Sequence, residues 1–520
     1  MIGIYLQPFD FDYDIQSLIR SFYPREQLHM AAWDGEDFTP DEDELTVTVQ
    51  MEDDAVTAML FLSKKGYPVG HHTLLGITAE MVCKKDSESW HKDADKSENS
   101  FRTKYKNIVK RVLFDACVSY GIDTDAMKKQ IPAWGTMTGV RPTKIAMKYI
   151  EQGMSPVEAE TVLKEEYRCS EKKAKLSLNI AEREKRLLDF AGCEDGYSLY
   201  IGIPFCPTTC LYCSFTSYPV GKYESLIEDY LSALKKEITE MAEVMRGKPL
   251  TAVYFGGGTP TSLTAGQLGG LLQAVKHAFD FSSVREFTVE AGRPDSITEE
   301  KLQVLKEYGV TRISVNPQTM KEETLECIGR RHTAEQTKEA FYLAKKAGFD
   351  NINMDLIIGL PDESPEDFVR TLEEIKQLNP DSITIHSLVV KRASMLRSRR
   401  EEGEFTASAD MDAMLEIGEQ FAREQGYEPY YMYRQKNKAG HACSSTQENI
   451  GYAREGKECL YNILIMEEKQ SILALGAGAS TKLYQKEKNR VERLENVKSV
   501  QDYIQRIDEM IERKKTRIHK

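Results

Sequence analysis

Three cysteines set close together, Cys206, Cys210 and Cys213, carry the most specific chemical signal in this chain, in the run Tyr200-Ile-Gly-Ile-Pro-Phe-Cys-Pro-Thr-Thr-Cys-Leu-Tyr-Cys-Ser-Phe215. Thiolates ligate iron-sulfur clusters, and a four-iron cluster normally takes four of them. Three on one short loop therefore leave one iron open to a small molecule. Two other uses compete. Structural zinc would want a fourth Cys or His at a fixed offset, and the nearest downstream histidine is the distant His277. Buried packing thiols would be scattered rather than clustered. Gly256-Gly-Gly-Thr-Pro260 is a second candidate: glycine lets a backbone approach a ligand closely, although a triplet alone also serves as a plain tight turn. Glu290 and Asp355 belong to apolar runs that read as strands. A charge there is costly without a partner, although each alone could be a surface carboxylate or a cap.

The elements that position these residues form a regular alternation. Short β-rich runs at residues 199–203, 252–255, 286–290, 312–316, 352–358 and 382–385 are separated by amphipathic helical stretches at 225–245, 265–278, 299–308, 334–346 and 365–378. Such an order predicts βα units and a parallel sheet covered on both faces. The first third reads as a separate α/β unit, with strands at 1–7, 44–51 and 56–63 and a helix at 101–120, the polar stretch 84–99 looping out between them. Residues 134–144, Trp-Gly-Thr-Met-Thr-Gly-Val-Arg-Pro-Thr-Lys, place Arg141 and Lys144 where an anion could bind, or form a turn that packs Trp134. A charged run at 170–189 reads as a helical connector. Beyond about residue 400 the alternation gives way to a helix at 409–425, an aromatic strand-like run at 427–437, a Gly-rich segment at 475–482 and a terminal helix.

Composition excludes several classes. A chain of 520 residues is too long for one core. A net charge of −13 argues against extended contact with nucleic acid. A basic patch at residues 391–400 could meet small anions, or could be a solvated helix face. No apolar run is long enough to span a bilayer and no leader pattern opens the chain, so a cytoplasmic location is expected. Cys83, Cys117, Cys169, Cys193, Cys327, Cys443 and Cys459 show no ligand spacing and read as inert thiols.

The cysteine spacing, with the Gly triplet one βα unit later, resembles the radical S-adenosylmethionine (SAM) superfamily. The resemblance implies an α/β fold: a partial (β/α)6 barrel over residues 193–400 with its site at the C-terminal strand ends. An N-terminal α/β domain with its connector would take 1–192, and a smaller C-terminal α+β domain covering the barrel mouth would take 401–520. It implies a [4Fe-4S] cluster on Cys206, Cys210 and Cys213, with SAM chelating the open iron. Thr-Val-Glu290-Ala-Gly-Arg, Ser-Val-Asn-Pro-Gln318-Thr, Ile-Gly-Arg330-Arg-His and Asn-Met-Asp355-Leu-Ile-Ile-Gly-Leu-Pro361 further resemble the oxygen-independent coproporphyrinogen III oxidase branch. On that resemblance Tyr200 and the backbone at Tyr212 line the SAM site, with Gly257, Gly258 and Thr259 at the methionine end. Glu290, Gln318 and Asp355 would hydrogen-bond the ribose and amino-acid portion, Arg330 would meet the carboxylate, and Val389 would line the adenosine.

Residues 134–144, Tyr431-Met-Tyr-Arg-Gln-Lys-Asn437 and Glu448-Asn-Ile-Gly-Tyr452 look like the HemZ-type subfamily of coproporphyrinogen dehydrogenases. The implied chemistry is reductive cleavage of SAM to a 5′-deoxyadenosyl radical, which takes hydrogen from the β carbon of a propionate on coproporphyrinogen III. Loss of carbon dioxide and an electron leaves a vinyl group on protoporphyrinogen IX. Implied partners are the tetrapyrrole substrate and an electron donor of flavodoxin or ferredoxin type. Two departures stand out: Gly202 replaces the family's usual His, and Ser214-Phe215 follow where the oxidases carry a further Cys. The haem chaperone branch shares the second feature, but its His-Asn-x-x-Tyr-Trp motif is replaced here by Tyr461-Asn-Ile-Leu-Ile-Met466. A haem carrier, or a radical SAM enzyme acting on another substrate, is therefore the alternative.

Overall fold

The computed structural model describes residues 2–7, 10–24, 26–32, 45–51, 55–62, 77–80, 96–120, 129–192, 195–389, 396, 410–435, 447–488 and 490–518. The chain divides into two compact units, residues 1–179 with 434–447, and residues 180–433 with 448–520. The first division falls inside the helix Glu171–Ala191, where the sequence suggested 192.

In the first unit β1 (Ile2–Gln7), β2 (Leu28–Ala32), β3 (Leu45–Met51), β4 (Ala55–Leu62) and β5 (Ile77–Glu80) form a sheet in the order β2-β1-β3-β4-β5. Ile2, Ile4 and Leu6 alternate along β1 and pack into a core with Ile15, Leu18 and Phe22 of the helix Asp12–Phe22 and Val109, Leu113 and Cys117 of the helix Lys96–Tyr120. That second helix begins at residue 96, so it takes in the end of the stretch expected to loop out; residues 84–95 lie outside the described ones. Trp134 is buried, with Lys173 Nζ 5.7 Å and the Arg434 guanidinium 6.0 Å from its ring. Gly135 takes a φ of +56°, and a Cβ there would lie 2.0 Å from Tyr167 O, so only glycine fits the turn. Pro142 then leads into the helix Thr143–Glu151.

The second unit contains β6 (Tyr197–Ile203), β7 (Phe205–Cys206), β8 (Tyr218–Pro219), β9 (Leu250–Gly257), β10 (Glu286–Glu290), β11 (Arg312–Ser314), β12 (Ile352–Ile358), β13 (Ser382–Ser387), β14 (Glu428–Arg434), β15 (Glu448–Ala453), β16 (Ser471–Leu475), β17 (Ser480–Gln485) and β18 (Arg490–Glu495). The six strands expected from the sequence, β6, β9, β10, β11, β12 and β13, are consecutive neighbours and all parallel. They form the partial (β/α)6 barrel. Helices Ala265–Ala278, Ala334–Lys346 and Pro365–Leu378 begin with capping boxes on Thr264, Thr333 and Ser364, which satisfy orphan N–H groups and set where each strand-to-helix loop ends.

Residues 401–520, expected as a smaller domain, contribute strands to the same 11-stranded sheet, β14 and β15 beyond β13 and β16, β17 and β18 beyond β6. β16 runs parallel to β6, and β15 antiparallel to β13. The physical reason is edge satisfaction: an open barrel leaves two strands with unpaired backbone groups, and these segments pair them. The basic patch at 391–400 lies outside the described residues except Leu396.

Period-two alternation separates the two faces of this sheet. Leu199, Ile201, Val253, Phe255, Phe287, Val289, Met354, Leu356, Ile383 and Ile385 are apolar and buried. The other face carries Ser198, Tyr200, Tyr254, Thr288, Glu290, Ser314, Asn353, Asp355, Thr384 and His386, held side by side by the register. A packed barrel fills its interior with branched apolar residues. A polar interior of this kind is suited to a ligand.

Candidate active site

The cysteine loop is fastened by backbone bonds to its neighbours. Gly258 and Thr259 donate N–H to Ile203 O and Phe205 O, both at 2.7 Å, and Leu211 N donates to Ile328 O at 3.0 Å. These place Cys206 at the end of β7 and Cys210 and Cys213 on the loop that follows, all three half-buried and free of disulfides. A Cβ on Gly258 would lie 2.6 Å from Phe205 O and 3.0 Å from Cys206 Sγ, so the triplet's third glycine gives the clearance that lets two loops meet beside a thiol. Gly257 adopts a φ of +107°.

Each thiol has its own surroundings. Thr259 Oγ1 lies 3.5 Å from Cys206 Sγ. Burial pushes the Cys206 thiol up to about 11. Burial also raises Cys213. At Cys210 burial is more than offset by the Arg330 and Arg293 guanidiniums, and the thiol falls below its ordinary range. Arg293 Nη1 lies 3.6 Å from Cys210 Sγ and 3.0 Å from Thr208 Oγ1, while Asp295 grips the same guanidinium at 2.9 and 2.7 Å. Among the described residues no three His, Cys, Asp or Glu groups converge as a single metal ion requires. Three thiols on three separate irons need no such convergence, and this soft donor set beside two cations, with glycine clearance, fits an iron-sulfur cluster.

Of the remaining residues singled out from the sequence, Tyr200, Glu290 and Asp355 gather on the barrel's interior face, and Arg330, Tyr212 and Val389 do not. Tyr200 stacks on Tyr254 and Tyr461, each at 6.2 Å, and these two stack on each other at 4.4 Å. Glu290, at the end of β10, accepts from Tyr254 Oη at 2.5 Å. Burial raises its carboxyl to about 7, with Tyr254 and the Gly257 N–H opposing and Asp355 adding. Asp355 accepts from Asn353 Nδ2 at 2.7 Å and takes Asn316 Oδ1 on its own N–H at 3.1 Å. Gln318 holds a left-handed φ of +72°, pinned by Gln318 N to Asp355 O and Ile357 N to Gln318 O at 3.0 and 2.9 Å. Such strain in a non-glycine residue persists only where its surroundings enforce it. Arg330 is buried, donates to Asn316 O and turns toward the cysteine loop rather than the open interior. Tyr212 packs with Ile328, Ile357, Leu360 and Leu388. Val389 lies half-buried just beyond β13.

Four interior residues were not singled out: Arg293, Tyr254, His386 and Asn449. Tyr254 could have been found, since it shares strand parity with Gly256. The others become visible only when distant strands are neighbours.

Two comparisons decide the family. Residues 200–375 match the model of the radical SAM superfamily. The chain is 41% identical to the oxygen-independent coproporphyrinogen-III oxidase-like protein HemZ of Bacillus subtilis, over 73% of this chain and 76% of that protein. The chain belongs to the radical SAM superfamily, in its oxygen-independent coproporphyrinogen-III oxidase-like branch. It is a radical SAM oxidoreductase, of a family that uses a [4Fe-4S] cluster and SAM. The haem chaperone HemW of the same bacterium is 32% identical over 54% of this chain and 70% of its own length. A solved structure of coproporphyrinogen III oxidase (HemN) from Escherichia coli overlays 63% of this chain and 72% of its own with a TM-score of 0.49 and 23% identity. Among the described residues no helix is long and apolar enough to cross a membrane.

Proposed function

We propose that this radical SAM protein carries out oxidative decarboxylation of coproporphyrinogen III propionates to the vinyl groups of protoporphyrinogen IX. Cys206, Cys210 and Cys213 would hold the cluster and an electron donor would reduce it. The cluster and SAM, when bound, supply an oxidant strong enough to take hydrogen from an unactivated carbon. The chain's part is placement. Gly257, Gly258 and Thr259 bring backbone close to the methionine end, while Tyr200, Gln318, Glu290 and Asp355 offer acceptors and a wall along the adenosine. The residues after 400, which flank both barrel edges, are proposed to cover the mouth and keep water from the reacting carbon.

The observation that carries this reading over a haem carrier is the place of Tyr461. Where the chaperones are expected to have a haem motif, Tyr461 is 4% exposed and locked in the interior stack with Tyr254 and Tyr200. A buried ring committed to two neighbours is not free to receive haem. Anaerobically reconstituted protein given SAM, a reductant and coproporphyrinogen III is expected to release deoxyadenosine together with decarboxylated porphyrinogen. Deoxyadenosine without decarboxylation would reject this substrate and keep the radical chemistry. A Soret shift on haem titration, with transfer to an apo-protein, would establish the carrier instead.

A further inference from the structure

His386 lies near the end of β13 on the interior face, opposite Ile357 of β12 and two residue pairs beyond the Asp355–Thr384 pair. Its Nε2 is 3.8 Å from Asp355 Oδ1, and its Nδ1 is 3.0 Å from Asn449 Oδ1 on β15. Asn449 is wholly buried, and among the described residues its Nδ2 has no partner. Both imidazole nitrogens thus face acceptors. At 3.8 Å the approach to Asp355 is an ion-pair distance rather than a hydrogen bond, and it favours the imidazolium by charge.

A second carboxylate shares this face. Glu290 approaches from β10, close enough that Asp355 raises its pKa. Tyr431 and Tyr433 of β14 feel the Asp355 charge, and Arg312 of β11 acts on Glu290. Burial raises Asp355, but His386, Asn353 and Thr384 together bring it below the ordinary carboxylate range. Burial lowers His386, and Asp355 and Asn449 more than reverse it. The two carboxylates are therefore driven apart: His386 faces Asp355 and favours its charge, while burial outweighs Tyr254, the Gly257 N–H and Arg312 at Glu290.

We infer that His386, held by Asn449, is a positioning residue that keeps Asp355 ionised to accept the SAM ribose. The inference rests on the proposal that Asp355 meets SAM. It extends it by naming what sets the charge there.

The test is SAM affinity of the cluster-loaded enzyme between about pH 4 and 7, by equilibrium dialysis with labelled SAM and by the change SAM makes in the reduced cluster's EPR spectrum. In His386→Gln, which keeps bulk and a donor but no charge, Asp355 titrates higher. The acid-side loss of affinity is expected to begin about one pH unit above wild type, a deficit of about tenfold near its midpoint. Asn449→Leu moves the same limb in the same direction, and His386→Phe repeats the shift without any donor. Iron content and the SAM-free spectrum equal to wild type show that each variant is folded. Affinity lowered equally at every pH, or not at all, would overturn the role of His386. If Asp355→Asn binds SAM as wild type does, the contact between Asp355 and SAM is wrong and the inference falls with it. Loss of binding in Asp355→Asn beside an unmoved limb in His386→Gln would sink the histidine alone.

Discussion

At the scale of single residues, the site is a set of close approaches that few side chains tolerate. Gly258 is the sharpest case, since an added methyl would meet Phe205 O, Ile203 O and Cys206 Sγ at 2.6, 2.9 and 3.0 Å. Two of those atoms are backbone and cannot move aside. Gly258→Ala is expected to fold, with a far-ultraviolet circular dichroism spectrum like wild type, and to lose about 10–100-fold in cluster retention or turnover, read as iron per chain after anaerobic reconstitution. Wild-type iron content and turnover would show that the loops can part. The spacing of Cys206, Cys210 and Cys213 and the Gly triplet were legible in the sequence because their chemistry is local. Arg293 was not: it stands 83 residues along the chain from Cys210, the sulfur it approaches.

At the scale of elements, the terminal helix Ile507–Ile518 is tied to the barrel by one buried ion pair. Lys514 Nζ lies 2.6 Å from Glu237 Oε1, and the same carboxylate receives Asn496 Nδ2 and Gly476 N–H at 2.9 Å and Tyr503 Oη at 2.5 Å. This hub holds the turn after β16 against β6. Its Gly476 has a φ of +105°, and a Cβ there would lie 2.6 Å from Gly202 O. Leu475 O in turn lies 3.3 Å from where a Gly202 Cβ would be. A side chain at Gly202, where relatives are expected to carry His, would thus press by a few tenths of an ångström on the strand laid beside it. Lys514→Met removes the cation and leaves Glu237 charged in a dry site, an expected loss of about 3–5 kcal/mol in unfolding free energy by denaturant titration. A loss below about 1 kcal/mol would mean the hub is satisfied without it.

For the whole molecule, pH stability should carry the mark of a buried carboxyl outside the site. Glu363 accepts from Thr319 Oγ1 at 2.5 Å, and burial raises its pKa from 4.5 to about 7, with Thr319, Thr324 and Lys321 opposing. Because the folded value lies above the unfolded one, its contribution is full below pH 4.5 and is lost as pH rises through about 7. Glu363→Gln should remove that slope, flattening stability between these limits and adding about 3 kcal/mol above them, measured as urea unfolding against pH. An unchanged slope would place the titration elsewhere. The chain's own sequence determined a large part of this protein: the six strands with their helices, the open-cornered thiol loop and the glycine approach all follow from spacing and period along the chain. It did not show that residues after 400 extend the barrel sheet at both edges, nor that β15 brings Asn449 to His386. Periodicity is a property of neighbours in sequence. Electrostatic pairing depends on distance through space, which only the assembled sheet defines.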